Sequence, residues 1–300
     1  MTPLFGIDLG GTKIEGVVIE STTTPEVLCR KRIPTEADQG YGHIIDQIDS
    51  LVQSLSKEVE ISPKKIGIGT PGAIDPASGT LKNSNTVCLN GQPLRDDIQE
   101  KLGVPVIIEN DANCFALAET RFGCVKHQVT DANVIFGVIM GTGVGGGIVV
   151  NNTILKGKHG IGGEWGHNFL YESGGPCYCG KTGCVETVIS GTALEKYYRN
   201  LTGQNNTLKK IAQLARKEDQ PEAKDTIDRL THYFGKAIAN VINILDPDAI
   251  ILGGGVGNVP ELYTEGVKYA RKYVFNPELN TPFLKPELGD SAGVFGAAIL

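Results

Sequence analysis

Residues 4–19 read LFGIDLGGTKIEGVVI, and residues 134–151 read VIFGVIMGTGVGGGIVVN. Each is an apolar run, a cluster of glycines and a second apolar run, the pattern of two strands joined by a tight turn. In the first, residues 4–7 lead into Asp8-Leu9-Gly10-Gly11-Thr12-Lys13 and residues 14–19 resume the strand. In the second, the spacing predicts a strand over 134–140, a turn over 141–147 and a strand over 148–151. One strand–glycine–strand unit occurring twice points to two related halves rather than to a short-period solenoid. A third glycine cluster, Gly253-Gly254-Gly255, closes the apolar run 249–252.

A glycine turn after a strand can bind phosphate, because its N–H groups converge and no Cβ blocks the approach. One such turn alone is more simply a hairpin. Three of them, each following an apolar strand, favour phosphate. Gly141, Gly143 and Gly146 satisfy G-x-G-x-x-G, but that fingerprint must open a helix, and Gly147-Ile148-Val149-Val150 is β-like. Residues 6–13 lack the G-x-x-x-x-G-K-[ST] order of a Walker loop. A β-hairpin phosphate clamp in each half is what remains. Asp8, at the end of the first strand, is suited to hold Mg²⁺ directly or through water, since Mg²⁺ uses few carboxylates besides substrate phosphates. The plainer alternative is a turn residue bonding its own backbone. Lys13 either reaches a phosphate or projects into solvent from the hairpin.

Working outward, residues 27–33 read as a third strand of the same meander. Ile44, Ile45, Ile48, Leu51, Val52 and Leu55 recur at helical spacing. Residues 65–69 and 104–109 are buried-strand candidates. Residues 112–122 read as a helix with Asp111 at its N-cap, and residues 227–245 as a helix stopped by Asp246-Pro247. Residues 292–300 form a short apolar closing helix, and residues 204–222 are polar without a pattern. At 300 residues the chain is long for one core, so two compact domains are expected.

The chain is 40% hydrophobic and 21% charged, with a net charge of −6. That balance argues against a footprint for nucleic acid or anionic lipid. The N-terminus shows neither a basic n-region nor an h-region, and no apolar run approaches the ~20 residues that span a bilayer. A cytoplasmic protein is the expectation. Its seven cysteines are an odd number, which disfavours a disulfide framework. Cys177, Cys179 and Cys184 cluster, and His167 precedes them in Gly163-Glu164-Trp165-Gly166-His167. Three thiols and an imidazole suit tetrahedral Zn²⁺, and four protein ligands make the site closed and structural. Cys29, Cys88, Cys114 and Cys124 are scattered and read as small buried hydrophobes.

Asp8-Leu9-Gly10-Gly11-Thr12-Lys13, Gly69-Thr70-Pro71-Gly72, Glu109-Asn110-Asp111-Ala112-Asn113, Gly141-Thr142-Gly143, Glu164-Trp165-Gly166-His167, the cysteine cluster and Gly253-Gly254-Gly255 together closely resemble the ROK (repressor, open reading frame, kinase) family, over essentially the whole chain. The resemblance implies an α/β, actin-like ATPase (ribonuclease H-like) fold of two α/β domains around an interdomain cleft. The smaller would hold residues 1–113 and 290–300, and the larger residues 114–289 with the zinc loop. It further implies ATP contacts from Asp8, Gly10, Gly11, Thr12, Lys13, Gly141, Thr142, Gly143, Gly254 and Gly255, with Mg²⁺ alongside. Sugar contacts are implied for Asn85, Asn110, Asp111, Glu164, His167 and Glu186, with Asp111 accepting the proton of the attacking hydroxyl. From the residues alone, Asp111 is as good a helix cap as a base. His167 is expected to serve zinc with one ring nitrogen and sugar with the other.

Within the family, residues 82–91 (KNSNTVCLNG), Glu164-Trp165-Gly166-His167-Asn168 and Cys177-Tyr178-Cys179-Gly180-Lys181 are most similar to bacterial fructokinases and mannokinases. N-acetylglucosamine kinases and then glucokinases are the alternatives. Cys88 stands where those fructokinase-like members carry an aromatic residue, and a smaller side chain there is expected to widen the sugar pocket. Sugar-binding repressors of the family carry a helix-turn-helix ahead of the first glycine turn, and that turn starts here at Gly6, which disfavours a regulator. The expected partners are a hexose, ATP and a second copy in a homodimer, with no nucleic acid and no membrane.

Overall fold

The computed structural model describes residues 3–23, 25–217 and 219–300. Its first sheet runs Val27–Pro34, Lys13–Ile19, Leu4–Leu9, Ile66–Thr70, Val106–Asn110. The first three strands form the antiparallel meander read from the sequence, and the last two are parallel additions. Parallel neighbours need a crossover, normally helical. Tyr41–Val59 and Leu94–Leu102 supply it. The former buries Ile44, Ile48, Leu51, Val52 and Leu55, the stripe that the helical spacing predicted. They join Phe5, Ile7, Leu9, Ile14, Ile66 and Ile68 in one apolar core.

The second sheet repeats the order: Thr153–Ile154, Val144–Val150, Val134–Met140, Ala249–Gly253, Phe283–Leu284. It too combines an antiparallel pairing at one end with parallel strands at the other. The internal duplication legible in the two glycine hairpins is therefore a duplication of sheets. Two expectations are corrected. Residues 144–147 belong to a strand rather than to the turn, leaving a short turn at Gly141-Thr142-Gly143. The segment 204–222 contains the helix Leu208–Ala215, capped by the Thr207 hydroxyl and burying Leu208, Ile211 and Ala212.

Glycines set how closely the helices dock. A Cβ on Gly6 would lie 2.4 Å from the carbonyl oxygen of Val294, and one on Gly67 would lie 1.8 Å from that of Ala297. The closing helix Ala292–Ala298 thus rests directly on the backbone of the first sheet. On its other side, a Cβ on Gly296 would meet the Cys114 carbonyl oxygen at 1.9 Å. Any side chain at these positions would force the backbones apart. The helix Pro221–Leu245 opens on proline, as suits a first turn. It meets Glu265–Tyr273 at Gly235, where a Cβ would lie 2.4 Å from that of Tyr269.

The chain groups into two compact units: residues up to Gln128 with Gly147–Gly162 and Glu287–Leu300, and Val129–Gly146 with Gly163–Pro286. The return of the C-terminus to the first unit follows from the glycine contacts above. Those contacts also bring Asp111–Arg121 into that unit, past the boundary at 113 expected from the sequence. Among the described residues, no helix is long and apolar enough to cross a membrane.

Candidate active site

In the first unit the hairpin turn closes through Gly10 N–H to the Lys13 carbonyl at 3.0 Å, and Thr35 braces it with its hydroxyl on the Gly10 carbonyl at 2.6 Å. A Cβ on Gly10 would stand 3.0 Å from the Lys13 carbonyl oxygen, so glycine lets the turn close. Gly11, Thr12 and Lys13 are exposed at the tip. Asp8 lies half-buried at the strand end before them, its carboxyl pushed up to about 7. Burial is the main cause, followed by the charges of Asp111 and Glu15. Lys13 and Arg32 pull the other way. Glu15 is already paired with Arg30 and Arg32, so Asp8 and Asp111 are the carboxylates here that a divalent cation would relieve.

Asp111 follows directly on Val106–Asn110, as the first residue of the helix Asp111–Arg121. The N-cap expected at Asp111 is Asn110, whose Oδ1 accepts from the backbone N–H of Ala112 at 2.9 Å and of Asn113 at 3.4 Å. The helix begins one residue earlier than anticipated, so the cap falls on the last residue of the strand. Asn110 Nδ2 also donates to the Gly72 carbonyl at 3.1 Å. Asn110, predicted as a sugar ligand, is therefore largely committed to shaping the turn, with one amide hydrogen left over. Asp111 is half-buried, with Oδ1 accepting from Ala112 N–H at 2.8 Å, and sits where the helix dipole favours a carboxylate.

Asn85 is exposed on a loop closed by Asn90, which bonds the N–H of Ser84 at 2.8 Å and its carbonyl at 2.9 Å. In the same loop the hydroxyl of Thr86 would lie 3.5 Å from a Cβ on Gly11, which brings the loop to the first glycine turn. Cys88 packs on the apolar core with its thiol toward the Ala37 carbonyl at 3.8 Å. Val87 is the exposed apolar residue of this turn, at 77%.

In the second unit the turn Gly141-Thr142-Gly143 is tied to the start of the helix Gly191–Thr202. Gly191 N–H donates to the Gly141 carbonyl at 2.7 Å, and the Thr192 hydroxyl to that of Thr142 at 2.6 Å. Gly254 adopts φ +77, and a Cβ there would lie 2.3 Å from the Met140 carbonyl oxygen, so the third glycine cluster abuts the second. Ser190, Gly191 and Thr192 went unread in the sequence. Their one signal is the Ser-x-x start of a helix, Ser190 Oγ accepting from Ala193 N–H at 3.2 Å.

Glu186 lies in the first turn of Val185–Ile189, half-buried, its Oε2 accepting from Val144 N–H at 2.9 Å. A Cβ on Gly143 would stand 2.5 Å from that oxygen, so the glycine makes room for the carboxylate. Glu164 is half-buried, its carboxyl raised by burial and secondarily by the charge of Glu186, while His167 opposes the rise. Trp165 anchors this segment, its indole N–H on the Gly145 carbonyl at 3.0 Å and its ring edge-on to Phe136. Glu164 therefore lies within electrostatic reach of both His167 and Glu186.

The ligand atoms of His167, Cys177, Cys179 and Cys184 all lie within 4.8 Å of one another. His167 Nδ1 is 3.5 Å from Cys177 Sγ, and Cys179 Sγ is 3.6 Å from Cys184 Sγ. Zn–S bonds of ~2.3 Å imply tetrahedral edges of ~3.8 Å, so the spacing fits one Zn²⁺. The other ring nitrogen, Nε2, meets the Tyr178 hydroxyl at 2.9 Å. Tyr178 is a neighbour of His167 that the sequence reading did not anticipate. Burial raises its phenol to about 12, helped by the charges of Glu186 and Glu164.

The sequence pattern of the ROK family matches residues 4–300. The chain is 35% identical to an N-acetyl-D-glucosamine kinase of Vibrio atlanticus, over 99% of this chain and 98% of that one. A crystal structure of a ROK hexokinase from Thermus thermophilus superposes with a TM-score of 0.87 at 32% identity, covering 99% and 97%. A ROK family glucokinase from Streptomyces griseus, in complex with glucose and AMPPNP, gives 0.80 at 30%, covering 99% and 98%. The actin-like α/β fold expected from the motifs is the fold of these neighbours.

Proposed function

The chain belongs to the ROK family, and on that premise we propose that it transfers the γ-phosphoryl group of ATP to a hydroxyl of a hexose, N-acetylglucosamine first among them. The observation that carries the reading is the strand-end pair Asp8 and Asp111 beside an exposed glycine turn. Phosphoryl transfer asks for positioning, charge neutralisation and one group to orient the nucleophile. Asp111 takes the hydroxyl proton as the sugar oxygen bonds to the γ-phosphorus and the bond to the bridging oxygen breaks, releasing ADP. In the first unit Gly10, Gly11, Thr12 and Lys13 offer N–H groups and a cation to phosphate, and in the second Gly141, Thr142, Gly143, Gly254 and Gly255 offer N–H groups of the same kind. Asp8 would hold Mg²⁺, which when bound neutralises phosphate charge. Glu164 and Glu186 in the second unit, and Asn85 and the free amide hydrogen of Asn110 in the first, offer hydrogen-bonding groups to sugar hydroxyls, and His167 does so where a sugar hydroxyl takes the place of the Tyr178 hydroxyl on Nε2. His167, Cys177, Cys179 and Cys184 would hold a structural Zn²⁺, and two copies of the chain pair as the resemblance implies.

The sugar ranking departs from the one drawn from residues 82–91. Fructose or mannose rested on that stretch together with residues 164–168 and 177–181, whereas the similarity to the N-acetyl-D-glucosamine kinase extends over nearly the full chain. Apolar contacts discriminate related sugars by only ~1–3 kcal/mol each, so the ranking is a ratio and not an absolute exclusion. Measured as kcat/KM with ATP, N-acetylglucosamine is expected to exceed fructose, mannose and glucose. A higher value for fructose or mannose restores the earlier ranking, and no turnover on any of the four sugars removes the kinase reading.

A further inference from the structure

We propose that Lys156 is a positioning residue for the catalytic turn, acting through Glu109. The inference rests on the reading of Asp111 as the base and adds a residue that no sequence motif had marked. Glu109 is only 6% exposed. Its Oε1 accepts from the backbone N–H of Asn110 and from Asn113 Nδ2, both at 2.9 Å. One oxygen therefore spans the residues on either side of Asp111, joining the end of the strand to the first turn of the helix. Its Oε2 lies 2.7 Å from Lys156 Nζ and makes no hydrogen bond to any other described residue.

The loop that carries Lys156 is built to hold it. Gly162 N–H returns to the Lys156 carbonyl at 2.9 Å, and Gly157 and Gly160 take φ +73 and +68, values only glycine adopts without strain. Gly160 packs close to Ile74, where a Cβ would lie 3.1 Å from the carbonyl oxygen. The lysine head is half-exposed and its partner is buried, so the two sides of the pair are unequal. Removing the cation leaves a buried carboxylate without compensation. That carboxylate then turns toward water, which releases Asn110 N–H and Asn113 Nδ2. The turn presenting Asp111 loosens, and a misplacement on the order of 1 Å is enough to cost about 10² in rate.

A residue that merely pinned the loop would behave differently, and kinetics separate the two roles. Lys156→Met is expected to lower kcat roughly 10- to 100-fold with KM for ATP nearly unchanged. Lys156→Arg is expected to recover most of that loss. Glu109→Gln keeps the Oε1 acceptor but removes the charge, so Glu109→Gln/Lys156→Met should be no worse than Lys156→Met alone. Wild-type kcat in Lys156→Met, with or without a lowered melting temperature, overturns the proposal, as do strictly additive losses in the double variant. Asp111→Asn is run beside them. If that variant turns over like wild type, the base assignment itself has failed; if it is dead while Lys156→Met is fully active, only the role of Lys156 has failed.

Discussion

Asp111→Asn is expected to lose roughly 10²–10⁴-fold in kcat while folding normally and binding ATP as the wild type does. The amide has nearly the shape of the carboxylate, and its Oδ1 can still accept from Ala112 N–H, the 2.8 Å contact seen here. The helix start depends on Asn110, not on Asp111, because Asn110 supplies the cap. The capacity to take a proton is removed. The substitution also deletes a charge that raises the Asp8 carboxyl, so Asp8 should ionise more readily and Mg²⁺ binding should not suffer. Circular dichroism and nucleotide titration check the fold and ATP binding, and steady-state turnover checks the rest. Turnover within a few-fold of wild type would mean that Asp111 is only the first residue of a helix.

The second large effect concerns the metal loop. Cys179→Ser is expected to leave the protein without its zinc and to weaken sugar binding far more than ATP binding. Among the thiols, burial raises that of Cys177 and raises that of Cys184 to about 12, whereas the backbone N–H of Lys181 lowers that of Cys179. Two of the three ligands therefore need a cation to ionise, and binding is coupled to folding of the loop. Glu164 precedes the first ligand and Glu186 follows the last, so both carboxylates depend on its order. The glycine turn 141–143 has further ties outside the metal loop, to Gly191 and Thr192. Metal content by atomic absorption, with sugar and ATP affinities measured separately, decides the matter. A metal-free wild type with full activity would reduce the cluster to packed thiols.

Local chemistry explains what could be read in advance. The glycine hairpins, the stripe from Ile44 to Leu55 and the cysteine cluster are each written within a few consecutive residues. The choice between Asn110 and Asp111 as cap was not, because both are good caps and the extent of strand pairing decides between them. The early start of the strand at Val144 was hidden by its three glycines. They are small because Gly163 and Trp165 crowd Gly146 and the backbone of Ala112 and Asn113 crowds Gly147. The pair of Glu109 with Lys156 joins residues far apart in the chain, and no local pattern announces it.

Phosphate transfer to a sugar is the property on which the assignment of this protein as a kinase depends. The most direct measurement follows the γ-phosphate of labelled ATP during incubation of the wild-type protein with N-acetylglucosamine and Mg²⁺. The prediction is label in a sugar phosphate, formed in step with ADP, and neither product with Asp111→Asn. ADP formed alongside free inorganic phosphate, with no label in any of the four sugars, would show an ATPase and contradict the account.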